Sequence, residues 1–362
     1  MDNKLKALVE RHCAFWSGKS VKKPLISHQN KRVWKSRPYP IAGGKLAHQP
    51  TLIQPSDIDI DRITPGRMPM LTDGDLFNSL GCIYPSAWLE AVAGCPVYVS
   101  SFGCVARPAV RNIQQALETF SIESALSSPW LTVMDRVIEK NNRTGGDFIP
   151  VSQLHLRGVI DILAAYLGEE ALCAAVYDNP EALEKLAGKI ADLFIAVARR
   201  GLSLRKPWNN GFVSCWGLYA PGELVDYQID ASSLFSKDMY LRHFASYDQK
   251  VMDAFSYAVI HLHSVGLHLL DVVLNLAGNI TIEISFDREA KEWNKSALLA
   301  ACRKVQKHGK RLLIVSELSR DEFTEFLTEL TPAGLAVQYW EVSITESDQQ
   351  ANFLSKEEDV IY

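Results

Sequence analysis

The sequence lacks most of the patterns that assign a chain to a well-known kind of site. Its seven cysteines are odd in number, scattered along the chain and without a Cys-x-x-Cys pair. This excludes a zinc ribbon and indicates reduced thiols, as in a cytoplasmic protein. The glycine fingerprint of dinucleotide-binding folds and the phosphate-binding loop are also missing, since the pair Gly43-Gly44 is followed by Lys-Leu-Ala.

Long apolar runs and excess positive charge are absent as well. No window approaches eighteen uninterrupted apolar residues, and residues 1–12 alternate charged with apolar side chains, without the apolar core of a signal peptide. The formal net charge is −4 at pH 7, so no basic field is available to attract nucleic acid or an anionic membrane. We therefore expect a cytoplasmic protein with neither partner.

The first part of the chain contains little regular periodicity. Residues 3–17 have apolar side chains at helical spacing, and residues 24–28 are typical of a short strand. Residues 29–83 are rich in proline, glycine and polar side chains. So long an irregular segment in a compact protein usually covers or extends a binding site. We predict that residues 1–84 hold a helix, the first strand and an active-site lid.

Strands and helices alternate in the rest of the chain. With 47% hydrophobic residues, the chain can bury a large core, and strands that are almost wholly apolar indicate a parallel sheet covered on both faces. About eight strand candidates are present, the number that closes a (β/α)₈ TIM barrel, whereas the alternative is an open doubly wound α/β sheet. We predict one domain with its barrel body at residues 85–345 and a polar tail at 346–362. The clearest strand and helix pairs are 257–263 with 265–276, 279–285 with 294–308, and 311–316 with 319–329, followed by a strand at 335–340. Before them, strands are predicted at 96–101, 147–152 and 211–217, and helices at 158–167, 169–176 and 180–202.

Two histidines at the end of an apolar strand are the most informative feature. Alternation along the strand places His261 and His263 on one face, at the carboxyl end where βα proteins carry their chemistry. Two imidazoles in this arrangement can bind one zinc ion, and the third ligand would come from Cys215, Glu341 or His268. The alternative is that both histidines form hydrogen bonds and line a substrate cavity without metal.

Other side chains at predicted strand ends are candidates for acid–base chemistry or substrate binding. Glu283 lies within the strand that ends at Asp287, and an inward Glu283 would act as an acid or base but would need a partner. Arg157 is placed either to grip a carboxylate or phosphate or to pair with Asp161. The candidate substrate-binding residues are Arg157, Trp216, Tyr219 and Gln338.

Several segments together resemble the uroporphyrinogen decarboxylase superfamily, over roughly residues 85–340. The resemblance rests on His155-Leu-Arg-Gly-Val-Ile-Asp-Ile-Leu-Ala-Ala-Tyr-Leu-Gly168, Val176-Tyr-Asp-Asn-Pro-Glu181, Ala258–His268 and Gly309-Lys-Arg-Leu-Leu313. It implies a TIM barrel with its active site at the carboxyl mouth, and a homodimer. The decarboxylases' arginine-rich segment is missing between Phe15 and Gly44, although a tetrapyrrole with eight carboxylates requires a cationic pocket.

The methyltransferase branch of this superfamily is the closer match. Its members bind zinc through a His-x-Cys pair and a later cysteine; His261 matches the histidine, and His263 stands in the cysteine position. The resemblance implies transfer of a methyl group between a small methylated substrate and a corrinoid (cobalamin) on a partner protein, with His261 and His263 as metal ligands or general acids. The alternatives are decarboxylation of uroporphyrinogen or a related acid, and a non-catalytic barrel that binds a tetrapyrrole or corrinoid.

Overall fold

A parallel sheet forms the centre of the molecule. The computed structural model describes residues 3–28, 39–62, 73–81, 87–288 and 294–341. In chain order the strands are β1 Leu25–His28, β2 Tyr39–Ile41, β3 Lys45–Ala47, β4 Thr51–Ile53, β5 Asp73–Gly74, β6 Val97–Ser100, β7 Gly103–Ala106, β8 Phe212–Val213, β9 Tyr219–Ala220, β10 Leu224–Gln228, β11 Tyr257–His263, β12 Ile280–Phe286, β13 Arg311–Leu318 and β14 Leu335–Glu341. The main sheet has the order β10-β11-β12-β13-β14-β1-β5; its first six strands are parallel, and β5 pairs antiparallel with β1.

Helices pack on both faces of this sheet. They are α1 Asn3–Ser17, α2 Trp88–Ala93, α3 Ile113–Thr119, α4 Ile122–Leu126, α5 Pro129–Gly145, α6 Val159–Leu167, α7 Glu169–Asp178, α8 Pro180–Leu204, α9 Lys237–His243, α10 Ala245–Asp253, α11 Leu270–Leu274, α12 Lys295–Lys307 and α13 Arg320–Glu329. Alternate strand residues such as Ile260, Ile282 and Ile314 pack into one core with α2 to α13 on the outer face. Phe15 and Trp16 of α1 pack on the other face. Among the described residues, no helix is both long and apolar enough to cross a bilayer.

The other face of the sheet, the inner face, has its own core. Side chains from β10, β11, β13, β14 and β1 belong to one apolar cluster on this face, together with Phe15 and Trp16 of α1. Its strand residues are Leu25, Leu224, Val259, Leu313, Val315 and Ala336.

The parallel α/β architecture predicted from sequence is confirmed, but several strand assignments are wrong. The predicted strand at 96–101 is β6, which pairs antiparallel with β4 and β7 in a separate small sheet. Around Val151 only an isolated bridge to Leu80 forms, and the predicted strand at 211–217 ends at Val213. The segment 29–83 holds short strands where it is described, and the tail 346–362 lies outside the described residues.

The end of α1 is fastened to the start of β13 by one guanidinium group. Arg311 donates from Nε to the carbonyl oxygens of Phe15 at 3.1 Å and Trp16 at 2.9 Å, and from Nη2 to Trp16 at 2.6 Å. These carbonyls belong to the last turn of α1, where helical donors run out. The carbonyl of Phe15 also accepts from the N–H of Gly18 at 3.1 Å. Arg311 adds donors at both carbonyls and holds α1 on the sheet.

Substitution of this arginine should loosen α1. We expect Arg311→Ala to lower the free energy of unfolding by about 2–3 kcal/mol, because the hydrogen bonds involve a charged donor and partly buried acceptors. Arg311→Lys should recover part of the loss, since an ammonium can reach one carbonyl but lacks the fork. Urea unfolding of the three proteins measures this. Equal midpoints for wild type and Arg311→Ala would contradict the role.

Candidate functional site

The two histidines of β11 meet on the inner face of the sheet. His261 is buried and His263 is half-buried, and their Nε2 atoms are 3.0 Å apart. Both lie on the same side of β11 as Val259, which belongs to the inner core. The carboxyl end of the apolar strand thus brings the two imidazoles together on this face.

The neighbouring strand β12 orients both rings through carboxylates. Glu283 is the register partner of His261 and is hydrogen-bonded to its Nδ1, while Asp287 lies 3.0 Å from Nδ1 of His263. Both carboxylates are held in turn by hydroxyl groups, that of Ser285 on Glu283 at 2.8 Å and that of Ser264 on Asp287 at 3.0 Å. A carboxylate at Nδ1 fixes a neutral imidazole as the Nδ1–H tautomer and leaves Nε2 as an acceptor.

A third acceptor faces the same point. Asp230 begins the short 3₁₀ helix Asp230–Leu234 that follows β10, and its Oδ1 lies 3.8 Å from Nε2 of both histidines. This oxygen is buried and has no hydrogen-bond partner. The ligand atoms of Asp230, His261 and His263 lie within 4.8 Å of one another. Three converging acceptors repel each other unless a metal ion or a proton lies between them.

The charges around the histidines are compatible with either a metal ion or a proton between the three acceptors. Burial disfavours charge on His261, but the carboxylates of Glu283, Asp230 and Asp287 outweigh it and raise the pKa of the imidazole to about 9. The hydrogen bond to Asp287 raises the pKa of His263 as well. Without metal, the His261 imidazole is therefore protonated on both ring nitrogens at neutral pH. A bound metal must displace that proton, so its affinity will fall as the pH drops below about 9.

The donor set fits a catalytic metal site. Two imidazole nitrogens with one carboxylate oxygen match the ligands of zinc in sites that keep a position open for substrate, and also of iron in some oxygenases. The buried, unpartnered Oδ1 of Asp230 and the carboxylates behind both imidazoles are the features such a site requires. Within the described ranges, no other group of three such side chains has this geometry.

The structure does not bring the other predicted ligands into this group. Cys215 lies in the turn between β8 and β9, where its backbone N–H donates to Asp226 at 2.8 Å. His268 bonds the carbonyl oxygen of Phe235 at 2.9 Å, and Glu341 is exposed at the end of β14. The sequence analysis chose these residues because each lies close in sequence to an expected strand end. The third acceptor, Asp230, instead follows β10, a strand that the sequence analysis did not identify.

Two of the predicted substrate-binding residues lie on the inner side of the sheet, Trp216 beside His261 and Gln338 three strands away on β14. Trp216 stacks on the His261 ring at a centroid distance of 5.7 Å and an angle of 20°. Gln338 on β14 is buried, and its Oε1 has no hydrogen-bond partner. An unpartnered amide oxygen in a buried position needs a donor from water or a ligand. Both residues are therefore available to a substrate at this end of the sheet.

The other two form their closest contacts with residues outside the histidine cluster, although Arg157 also interacts electrostatically with Asp230. Arg157 lies 3.6 Å from Glu90 and 3.9 Å from Asp161, so the predicted pairing with Asp161 is present. Tyr219 donates its hydroxyl to the carbonyl of Asn209 at 2.8 Å and packs against α1. Because α1 is fastened to the first residue of β13, Tyr219 lies toward the amino end of the strands, away from the histidines. A substrate-binding role for Tyr219 therefore has no support in the structure.

Asp230 is the residue that sequence reasoning missed. The short strand β10 reads Leu-Val-Asp-Tyr-Gln, so two polar side chains interrupt its apolar pattern. The signal was the Pro221-Gly222 turn before it and the Asp-Ala-Ser-Ser run after it, which together mark a strand between two turns. A carboxylate just past such a strand belongs with the residues at strand ends that carry chemistry.

The carboxylates behind the histidines should influence metal affinity. We expect Glu283→Gln to weaken zinc binding by about 10–100-fold, because the amide no longer supplies the charge that supports the imidazole of His261. The matched control is Glu184→Gln, since Glu184 pairs with His243 at 3.3 Å outside the cluster. Competition titration with a zinc-binding dye measures both. Equal affinities for Glu283→Gln and the control would contradict the assignment.

Comparisons with known proteins show the fold alone. No family model matches the sequence, and no curated protein sequence matches it. Among solved structures, a methyltransferase from Methanosarcina mazei is similar to this chain, with a TM-score of 0.63 and 14% sequence identity. The match covers 93% of this chain and 94% of that protein. The two chains therefore have the same fold over nearly their whole lengths.

Proposed function

We propose that the protein is a metal-dependent methyltransferase that moves a methyl group between a small methylated substrate and a corrinoid carried by a partner protein. The observation that supports it is the convergence of Asp230, His261 and His263 on one point, on a fold shared with a methyltransferase. The sequence resemblance to the uroporphyrinogen decarboxylase superfamily points to the same chemistry.

Each residue of the cluster has a distinct role in this proposal. His261, His263 and Asp230 would hold zinc, and Glu283 and Asp287 keep the two imidazoles in the tautomer that presents Nε2. When bound, zinc would act as a Lewis acid on the heteroatom that carries or accepts the methyl group. Trp216 covers one side of His261 and excludes water from it. Gln338 offers a buried amide to the substrate.

We also propose that the sheet closes into the (β/α)₈ barrel. Segments 75–81 and 151–157 would fill the gap between β1 and β10. Asp75 N–H donates to Ile26 at 2.7 Å beside β1, and Leu80 bridges Val151. The side chain of Gln153 bonds both the N–H and the carbonyl of Asp226 in β10, at 3.2 and 2.7 Å. On this arrangement, residues 1–84 and 85–345 form one domain around the metal site.

The charges at the site disfavour the decarboxylase alternative. The carboxylates of Asp230, Glu283 and Asp287 surround the histidines, and the guanidinium of Arg157 is already flanked by Glu90 and Asp161. A uroporphyrinogen-like substrate with many carboxylates would be repelled here. Small neutral or cationic substrates would not be repelled by these carboxylates.

A direct assay tests the proposal. Zinc-loaded protein is mixed with free cob(I)alamin and, separately, methylated amines, aryl methyl ethers and thioethers, and the visible spectrum is followed for conversion to methylcobalamin. We expect transfer with at least one donor class, and loss of that transfer in His261→Ala. Decarboxylation of uroporphyrinogen at a useful rate, or binding of cobalamin and porphyrins without any turnover, would instead favour the alternatives.

A further inference from the structure

A buried carboxylate on α6 holds the residue next to Asp230. Asp161 has no exposed surface, and its Oδ1 accepts a hydrogen bond from the backbone N–H of Ala231 at 2.7 Å. Its Oδ2 accepts from the N–H of Gly158 at 3.2 Å. One carboxylate therefore joins the first turn of α6 to the turn that carries Asp230. Hydrogen bonds that two backbone N–H groups donate to one carboxylate fix the distance and the orientation of both groups.

The start of α6 is packed directly on the end of β10. A Cβ atom at Gly158 would collide with the carbonyl oxygen of Gln228 and lie 2.8 Å from the ring of Tyr227. The N–H of Val159 donates to the Tyr227 hydroxyl at 3.1 Å. Only glycine allows this approach, so the position of α6 relative to β10 is fixed by contact as well as by hydrogen bonds.

A second buried carboxylate fixes the tyrosine in turn. Asp248 on α10 accepts hydrogen bonds from the hydroxyls of Tyr227 and Tyr240, each at 2.5 Å. Both tyrosines are buried, so water does not compete for these bonds. The turn after β10 is thus held from two sides, by Asp161 at Ala231 and by Asp248 through Tyr227.

We infer that Asp161 is a positioning residue for the metal centre: it holds the Asp230 turn so that the Asp230 carboxylate faces both histidines. This inference rests on the proposed metal site. Asp230 is the ligand that most needs such support, because it lies in a short 3₁₀ helix rather than in a strand, whereas His261 and His263 are fixed by the sheet. Asp161 itself does not touch the ligand atoms and, being buried, cannot exchange protons with solvent directly.

A purely structural role must be separated from this one, since Asp161 also caps α6. Asp161→Asn makes the separation. Its amide oxygen can still accept from Ala231 N–H, but its NH₂ group faces the N–H of Gly158 and loses the cap. Asp161→Ala loses both bonds. The matched control is Glu90→Gln, which alters a buried carboxylate beside the same Arg157 without contact to the Asp230 turn.

Two measurements test the inference. Hydrogen exchange of the peptide covering residues 229–234, on metal-free protein, reports the turn itself; zinc affinity and the visible spectrum of the cobalt(II) form report the ligand set. We expect Asp161→Ala to exchange faster at this peptide, to weaken zinc binding by about 10–100-fold and to change the cobalt spectrum. Asp161→Asn should stay within about threefold of wild type in zinc affinity, and Glu90→Gln should match wild type in both measurements.

Failure of the proposed metal site and failure of the positioning role give different results. If wild type binds neither zinc nor cobalt, the proposed metal site is wrong, and the positioning role falls with it. If wild type binds metal but Asp161→Ala binds it equally well with the same spectrum, the positioning role alone is overturned. Equal losses of zinc affinity in Asp161→Asn and Asp161→Ala would show that Asp161 acts through its charge, which interacts with Asp230, or through the cap of α6, and not through its bond to Ala231; this would also overturn the positioning role.

Discussion

Asp230→Ala is expected to lose high-affinity zinc binding. Removing a residue that only supports a ligand weakens metal binding by about 10–100-fold, so removing one of the three proposed ligands should cost more than about 100-fold. Asp230→Ala breaks no hydrogen bond at Oδ1, and we expect the variant to fold. Metal analysis after dialysis and a zinc competition titration measure the change.

The same experiment decides between the ligand sets. Cys215→Ala and Glu341→Ala replace the third ligands considered from sequence, and we expect both to bind zinc within about threefold of wild type, because neither belongs to the group around the histidines. A large loss in Cys215→Ala with none in Asp230→Ala would reverse the assignment. Retention of metal in His261→Ala would remove the site altogether.

Acid should destabilise the protein through His12. This histidine is buried, its Nε2–H donates to the carbonyl of Asp75 at 2.8 Å, and its Nδ1 accepts from the N–H of Tyr219 at 3.1 Å. Burial lowers the pKa of His12 to about 4. The unfolded chain binds a proton near pH 6.5 and the folded protein does not, so stability falls as the pH drops from 6.5 towards 4. The total loss is about 3 kcal/mol.

The comparison that isolates this effect uses His12→Gln. Glutamine offers one donor and one acceptor but does not titrate, so its stability should lack the His12 contribution. Other groups act in the opposite direction: burial raises the pKa of Glu90 and of Asp248 to about 7, and protonation of these acids favours the folded state at low pH. The measurement is therefore the difference between the two proteins in urea unfolding at pH 7.5 and 4.5, with chelator in both. A constant difference would contradict the prediction.

The fold was predictable where strands are apolar and helices follow them. Strands β11 to β14 and helices α1, α6, α7 and α8 occur within a few residues of their predicted positions. The exceptions have physical causes. Strand β10 carries Asp226 and Gln228 on its inner face, so its pattern reads as polar, and β6 is apolar but pairs in a separate antiparallel sheet. Sequence periodicity reports burial, and it does not report the partner strand.

The site was predictable in part for the same reason. Alternation along one strand was enough to place His261 and His263 together. The pairing of β11 with β12 then brings Glu283 beside His261 and Asp287 beside His263. The turns around β10 were a signal for a strand end at Asp230, but its position beside the histidines could not be inferred, because that position depends on how α6 packs against the end of β10 through Gly158. Such a contact between segments 70 residues apart leaves no periodic pattern.

The pairing of the first strand with the last has a consequence for synthesis of the protein. Among the residues that the structure describes, the parallel partner of β1 is β14, more than 300 residues later in the chain. While the ribosome is still translating the middle, β1 has an unsatisfied hydrogen-bonding edge, and α1 lacks the arginine that caps it. A nascent chain of this protein therefore depends on β14, which pairs late with both β1 and β13. Release before residue 335 would leave the edges of β1 and β13 open and prone to aggregation.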